Sequence, residues 1–379
     1  MELDKHLHII SLNIPYPVDY GGVFDLFYKL PALKQLGIKI HLHCFKYGRD
    51  EQPILNDYCE SVNYYERTTG PAALSLRYPY IVKSRVSSEL AEKIAMDDYP
   101  VLMEGVHCTS LLNDTRFQGR SFFVRLHNVE HIYYHHLYRF SDSLLKKLYY
   151  LWESFLLKNY EKQIADKADF LSVTQKDAAV FSAIGAEKVH FLPLFLPKWK
   201  IKTLSGKGNF CLYHGDLSVA ENEKAAKWLL TNVFDDIAIP FVVAGKNPSR
   251  QLAKISAGNR STCIIANPAE SEMQDLIEKA HINIIPSYNS TGIKLKLLNS
   301  LFNGRHCIVN QLTVDGTGLD KACYIATDAS SFKNAVLDLY GKIFSENDLV
   351  LRHQLLDDAF DNENNALKLT EIIWPGQPL

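Results

Sequence analysis

The 379 residues carry a net charge of only −2 and are 47% apolar. That length suits two domains, each with its own core, and a nearly neutral chain lacks the basic excess of a general nucleic-acid binder. Seven scattered cysteines, odd in number and without a Cys-x-x-Cys pair, argue against a disulfide framework or a zinc site and fit free thiols in a reducing cytoplasm. No run reaches the ~18 apolar residues that span a bilayer. Residues 1–6 have no apolar stretch of the signal-peptide kind. The chain therefore reads as cytoplasmic, with any contact at the inner membrane face a peripheral one.

Residues 7–12 read as a first strand. The loop that follows is stiffened by Pro15 and Pro17, runs through Tyr20 and opens at Gly21 and Gly22. A glycine pair between strand and helix lets backbone N–H groups approach a phosphate, and the helix dipole favours the anion. An ordinary strand–helix turn would look the same. A helix is expected from Val23, ended by Gly37 and kinked or shortened by Pro31. Residues 38–45, 101–104, 122–126 and 170–173 are further buried strands. The strand–helix alternation implies a parallel sheet covered on both faces.

His127 follows the strand 122–126, where a doubly wound sheet presents residues to ligands. Its imidazole could bond a sugar hydroxyl or a phosphate, or be merely structural. His131 and His135 lie four apart, but no His-Glu-x-x-His pattern accompanies them, so they read as solvated helix positions rather than metal ligands. Residues 144–165 form a long helix with one face on the first domain. Lys146, Lys147 and Lys158 among its aromatics suggest a membrane-surface helix, a reading that Glu153 and Glu161 dilute.

Residues 191–197, with Pro193 and Pro197, form a hinge, and 205–209 is a polar loop before a second alternation. Strands are expected at 210–213, 241–244, 262–265, 282–285 and 306–309. Helices are expected at 222–234, 248–256, 271–279 and 292–303. In the last helix Lys296, Asn299 and Asn303 share a polar face. Ser290, Thr291 and Gly292 stand at its start, where free N–H groups can hold a diphosphate. Lys296, one turn in, can bring a positive charge to the same anion, whereas Lys294 points elsewhere and reads as solvated. A plain amphipathic helix with surface lysines is the competing reading.

Several segments, taken in order, resemble those of the bacterial family 4 retaining glycosyltransferases of the GT-B fold. They are the Pro15-Tyr16-Pro17 to Gly21-Gly22 loop, Arg125-Leu126-His127-Asn128-Val129-Glu130, His214-Gly215-Asp216-Leu217 with Asn222, Val243-Ala244-Gly245-Lys246-Asn247-Pro248, and Ser290 to Leu298. The resemblance covers nearly the whole chain. It implies an α/β architecture of two Rossmann-like doubly wound domains facing a central cleft. Residues 1–197 would form the acceptor side, 198–344 the nucleotide-sugar domain, and 345–379 helices crossing back to brace the first domain.

By the same resemblance the chain transfers a sugar, with retention and without a metal or other cofactor. The donor would be a UDP- or GDP-linked sugar, and the acceptor a glycan or lipid-linked saccharide of surface polysaccharide or lipopolysaccharide synthesis. Gly21 and Gly22 would meet the donor phosphate and His127 the transferred sugar. Lys296 would neutralise the leaving group. Gly215, Gly245, Ser290, Thr291, Gly292 and Asn299 would line the donor site. The family's usual glutamate stands as Asn299, a second acid as Thr291, and the arginine after Gly215 as Asp216. A neutral amide makes weaker bonds than a carboxylate, and Asp216 would repel a diphosphate. Two other readings therefore stay open: a GT-B pseudoenzyme that binds a sugar, nucleotide or partner enzyme, and a sugar-nucleotide epimerase, which would need cleft acid/base groups.

Overall fold

The structure, a computed structural model, describes residues 4–19, 21–141 and 143–377. Tyr20 of the first loop and Asp142 lie outside the described residues. The chain divides into two compact units: the chain up to Pro197 with the stretch from Ala359 onward, and Lys198–Asp358.

The first unit holds a seven-stranded sheet. Its strands are β1 (His6–Ser11), β2 (Lys39–Lys46), β3 (Ser61–Glu66), β4 (Val101–Glu104), β5 (Phe122–Leu126), β6 (Asp169–Ser172) and β7 (Val189–Phe191), in the order β3-β2-β1-β4-β5-β6-β7. Every pairing is parallel. The central strands are buried on both faces, which explains why they read as unbroken apolar runs. Val101, Met103 and Val124 enter one core layer, while Leu102 and Phe123 enter the other.

The second unit repeats the plan with six strands: β8 (Cys211–Asp216), β9 (Phe241–Lys246), β10 (Thr262–Ala266), β11 (Ile282–Ile285), β12 (His306–Val309) and β13 (Tyr324–Ile325), in the order β10-β9-β8-β11-β12-β13. These pairs are parallel too. Each unit is thus the doubly wound α/β sheet expected from the alternation.

Several boundaries differ from the sequence reading. The first helix spans Gly21–Gln35, so Gly21 and Gly22 form its opening turn rather than the loop before it. It runs through Pro31 and ends ahead of Gly37, whose φ of 78° is the left-handed value that favours glycine. The helix placed at 292–303 begins only at Leu295. Lys294, at φ −91° and ψ 110°, is its cap residue, and Ser290, Thr291 and Gly292 belong to the preceding loop.

The return to the first unit comes at Ala359 rather than at 345. Helix Glu346–Leu356 belongs to the second unit, where the buried Arg352 donates to the Leu301 carbonyl at 2.7 Å. Helix Asn362–Ile373 belongs to the first and sets Ala366, Leu369 and Ile373 among Leu26, Leu30 and Leu33. Asn362 anchors it, accepting from the Leu196 N–H at 3.0 Å and donating to the Leu196 carbonyl at 2.7 Å. Among the described residues no helix is long and apolar enough to cross a membrane.

Candidate functional site

Each sheet reverses its winding once, between β1 and β4 in the first unit and between β8 and β11 in the second. Such switch points, at the carboxyl ends of the strands, are where open α/β sheets bind ligands. Both carry clusters of charged side chains.

In the first unit, Asp25 and Lys29 sit one turn apart on the helix after β1, Glu104 ends β4, and Arg125 lies on β5. All four are fully buried. Arg125 grips Asp25 through two bonds, from Nε at 2.9 Å and Nη2 at 3.0 Å. It also donates to the carbonyls of Leu192 and Pro193 at 2.6 and 2.8 Å. Lys29 Nζ lies 3.1 Å from Asp25 and 2.5 Å from Glu104. Burial works to raise the Asp25 carboxyl, but Arg125 and Lys29 outweigh it and hold it far below the usual range. Glu104 is likewise held low against its burial, by Lys29 and His127.

His127 stands at the edge of this cluster with Nε2 3.0 Å from Glu104 Oε2. Because Glu104 is an acceptor-only carboxylate, Nε2 must carry the proton and donate it. Among the described residues Nδ1 makes no hydrogen bond, so it is the ring nitrogen left for a ligand. Sequence reasoning found His127 but missed the groups that set its tautomer. The signal was there: Glu104 and Arg125 are charges inside buried apolar strands, and such charges must be paired.

Asp25, Glu104 and His127 bring three ligand atoms within 4.8 Å of one another, a grouping that could hold a cation. The Lys29 ammonium and the Arg125 guanidinium already supply positive charge to both carboxylates. His131 is not a solvated position: its Nδ1 bonds Glu161 Oε2. Glu161 also accepts the backbone N–H of Glu130 at 2.9 Å, so it caps the helix Glu130–Phe140. The Glu130 carboxyl, pushed up to about 8 by burial and by Glu161, is largely protonated at neutral pH.

In the second unit the loop after β11 is held from several sides. Glu221 Oε1 accepts the N–H groups of Tyr288 and Asn289 at 2.9 and 3.2 Å and the Ser287 hydroxyl at 3.1 Å. Asn289 Oδ1 accepts from both the N–H and the hydroxyl of Thr291, each at 3.0 Å. Asn310 holds Ser287 by two bonds, its Oδ1 accepting the Ser287 N–H at 2.9 Å and its Nδ2 donating to the Ser287 carbonyl at 2.7 Å. Lys294, expected to be solvated, donates to the Thr291 carbonyl at 2.6 Å and so closes the loop on its own helix start. Thr291 and Gly292 are buried and Ser290 half-buried.

Lys296 projects from the first turn of the next helix. Its ammonium donates to Asn222 Oδ1 at 3.1 Å and stands 5.0 Å above the Tyr213 ring. Among the described residues it has no ion-pair partner. Burial pushes it down to about 8; Glu221 works the other way, and Lys294 adds to the lowering. His214 on β8 is driven down to about 3 by burial and by Lys296, so it is neutral. Asn299 Oδ1 accepts from Asn303 at 2.8 Å. Asp216 is turned to its own loop, accepting from the Ser218 N–H and hydroxyl at 3.0 and 2.6 Å.

Gly215 and Gly245 are paired across β8 and β9. A Cβ on Gly245 would sit 1.8 Å from the Gly215 carbonyl oxygen, so strand packing alone demands glycine there. Glu221 was missed by sequence reasoning, which singled out its neighbour Asn222. An acid in the first turn of a helix is ordinary, and only the fold brings it to the 287–289 loop.

No protein-family model matches the chain. A Klebsiella pneumoniae protein described as an uncharacterized 44.6 kDa protein in the cps region is 27% identical over 358 residues, covering 89% of this chain and 91% of that one. Among solved structures, Anabaena HepE in complex with UDP and glucose superposes with a TM-score of 0.64 at 11% identity, over 97% of this chain and 99% of that one. A Staphylococcus aureus TarM variant in complex with Fondaparinux, alpha-GlcNAc-glycerol and UDP gives 0.62 at 8% identity, over 98% and 100%. Over 97–98% of its length, then, the chain shares the GT-B fold of these structures.

Proposed function

We propose that the chain is a glycosyltransferase that takes a sugar from a nucleotide-sugar donor and passes it to a glycan or lipid-linked acceptor in surface polysaccharide synthesis. The observation that carries this reading is Lys296, a desolvated ammonium at the switch point of the second sheet, bonded only to a neutral amide and lacking a carboxylate partner among the described residues. A cation held in this way calls for an anion from outside. The fixed loop 287–292 and the helix start at Leu295 supply backbone dipoles beside it. A nucleoside diphosphate meets all of these groups.

Transfer breaks the bond between the anomeric carbon and the diphosphate oxygen and forms one to an acceptor hydroxyl. Negative charge grows on the departing diphosphate, and Lys296 is placed to neutralise it, an effect of the oxyanion-hole type. Its ammonium takes the part that a divalent cation plays in metal-dependent transferases, so turnover without metal is part of the proposal. His127, its Nε2–H fixed by Glu104, presents Nδ1 to a sugar hydroxyl. Retention of anomeric configuration is proposed from the sequence resemblance. The cps-region relative and the UDP in the HepE and TarM complexes favour a capsular or related glycan and a UDP-sugar.

The test is a thermal-shift titration of the purified chain with UDP, GDP, ADP, CMP and dTDP. One nucleotide should raise the midpoint with a concentration dependence that follows mass action, and Lys296→Ala should abolish the rise. Donor hydrolysis that survives chelation and is lost in Lys296→Ala completes the case. No shift with any nucleotide at millimolar concentration would sink it. Asn299, whose oxygen is already taken by Asn303, favours the second reading, a protein that binds without turnover. That reading predicts a nucleotide shift with no hydrolysis.

A further inference from the structure

The helix Leu144–Ile164 has two unlike faces. One buries Glu153, Ser154, Leu156, Leu157, Tyr160, Glu161 and Ile164. Across the helix axis, Leu144, Leu145, Leu148, Leu151, Trp152 and Phe155 fall on a single stripe at about 100° per residue. All six are exposed, Leu145 at 80%. The stripe is about 16 Å long at 1.5 Å per residue. Beside it the segment before residue 80 adds Leu74 and Leu76, the latter 82% exposed. These leucines, Ser75, Tyr80, Tyr149, Trp152 and Glu153 line a mostly apolar cleft of about 300 Å³. Exposed apolar surface this contiguous marks an interaction site.

The charges around it are of one sign. At about 100° per residue Lys147, Lys158 and Lys162 flank the stripe, the first half-buried and the other two exposed, and the exposed Arg77 follows Leu76. Residues 70–86 contain no acid. The two acids of the helix, which dilute the basic pattern in the sequence, point inward. Glu153 accepts the Ile81 N–H at 3.0 Å, and Glu161 caps the neighbouring helix. The surface therefore presents an apolar stripe flanked by cations, and Glu153, which also lines the cleft, is turned to a backbone N–H.

We propose that this face docks on an anionic lipid bilayer. Leu144 to Phe155 would enter the acyl boundary, and the lysines and Arg77 would lie among the headgroups. A second copy of the chain fits poorly, because a two-fold contact sets the same patch against itself and opposes its cations with their own copies. Lysine is also depleted at protein–protein interfaces. The proposal does not rest on the transferase reading, since it needs no donor and no turnover.

The experiment is flotation of the full chain with vesicles of phosphatidylcholine alone or mixed with phosphatidylglycerol. Binding should appear only with the mixed vesicles and fade at high salt. Lys158→Glu with Lys162→Glu should weaken partitioning by about 25-fold or more, taking roughly fivefold for each lost lysine. Leu148→Ser with Phe155→Ser should weaken it by at least about tenfold. Both pairs are at the surface, so the thermal midpoint and any nucleotide shift should be unchanged. Equal recovery with and without mixed vesicles would overturn the proposal. So would a dimer in sedimentation that the Leu148→Ser, Phe155→Ser variant converts to monomer while vesicle binding stays the same.

Discussion

Glu104→Gln should destabilise the first unit by about 3–5 kcal/mol, the usual cost of removing one partner from a buried ion pair. Lys29 Nζ is fully buried, 2.5 Å from Glu104 and 3.1 Å from Asp25. At an effective dielectric of 20, a pair about 3 Å apart gains roughly 5 kcal/mol of Coulomb energy. Desolvating each ion costs several kcal/mol, so the intact cluster nets little. The substitution removes the gain and leaves the cost, because Asp25 is already shared with Arg125 through two bonds. Lys29→Met should cost a similar amount, since it leaves Glu104 with His127 alone. The double variant carries neither charge, and its cost should fall below the sum of the singles by at least about 2 kcal/mol. Calorimetry of the three variants reads this directly. For a unit of this size each 1 kcal/mol moves the midpoint by about 2–4 °C, so each single substitution should lower the first unit's transition by roughly 10 °C. Costs that simply add in the double variant would refute a coupled buried cluster, and single costs under about 1 kcal/mol would refute its burial.

Two further predictions concern pH. Lys296 is pushed down to about 8 by burial, so the charged form proposed to hold a diphosphate is lost above that value. Nucleotide affinity should be flat below about pH 7 and fall about tenfold per pH unit well above pH 8. Calorimetric titration of the wild type against Lys296→Arg, which stays charged, should show the slope only in the wild type; the same slope in both would rule it out. His8 and His43, bonded to each other at 2.9 Å, are pushed down by burial to about 4 and about 3. Their unfolded forms bind protons first as pH falls through 6.5, so they stabilise the fold above that value and lose this on acidification. Each ring should lose about 2 kcal/mol between pH 8 and pH 5, and His8→Asn with His43→Gln should flatten the pH dependence of the midpoint. An unchanged pH slope in that variant would discard the assignment.

The strands at the centre of each sheet were legible because burial on both faces leaves an unbroken apolar run, as in Phe122–Leu126 and Ile282–Ile285. Edge strands leave no such trace. Ser61–Glu66 is half-exposed along most of its length, and Tyr324–Ile325 is two residues long. Neither could be read from pattern. Helix starts failed for a different reason. Ser290, Thr291 and Gly292 are good opening residues, but Asn289 and Lys294 hold them in a loop by bonds that no propensity anticipates.

The same division runs through the candidate sites. His127 and Lys296 could be singled out because local spacing puts one just past a strand and the other near the start of a helix. What makes either of them chemically usable comes from far along the chain. Glu104 fixes the His127 proton from 23 residues away, and Asn222 holds Lys296 from 74. Lys29 balances Glu104 from 75. Glu221 places a carboxylate beside the loop 287–292, but its Oε1 is spent on Ser287, Tyr288 and Asn289. Through these bonds it stiffens the loop. A donor site of this kind should bind mainly through its diphosphate, so the five nucleotides should differ less from one another than each differs from its own nucleoside.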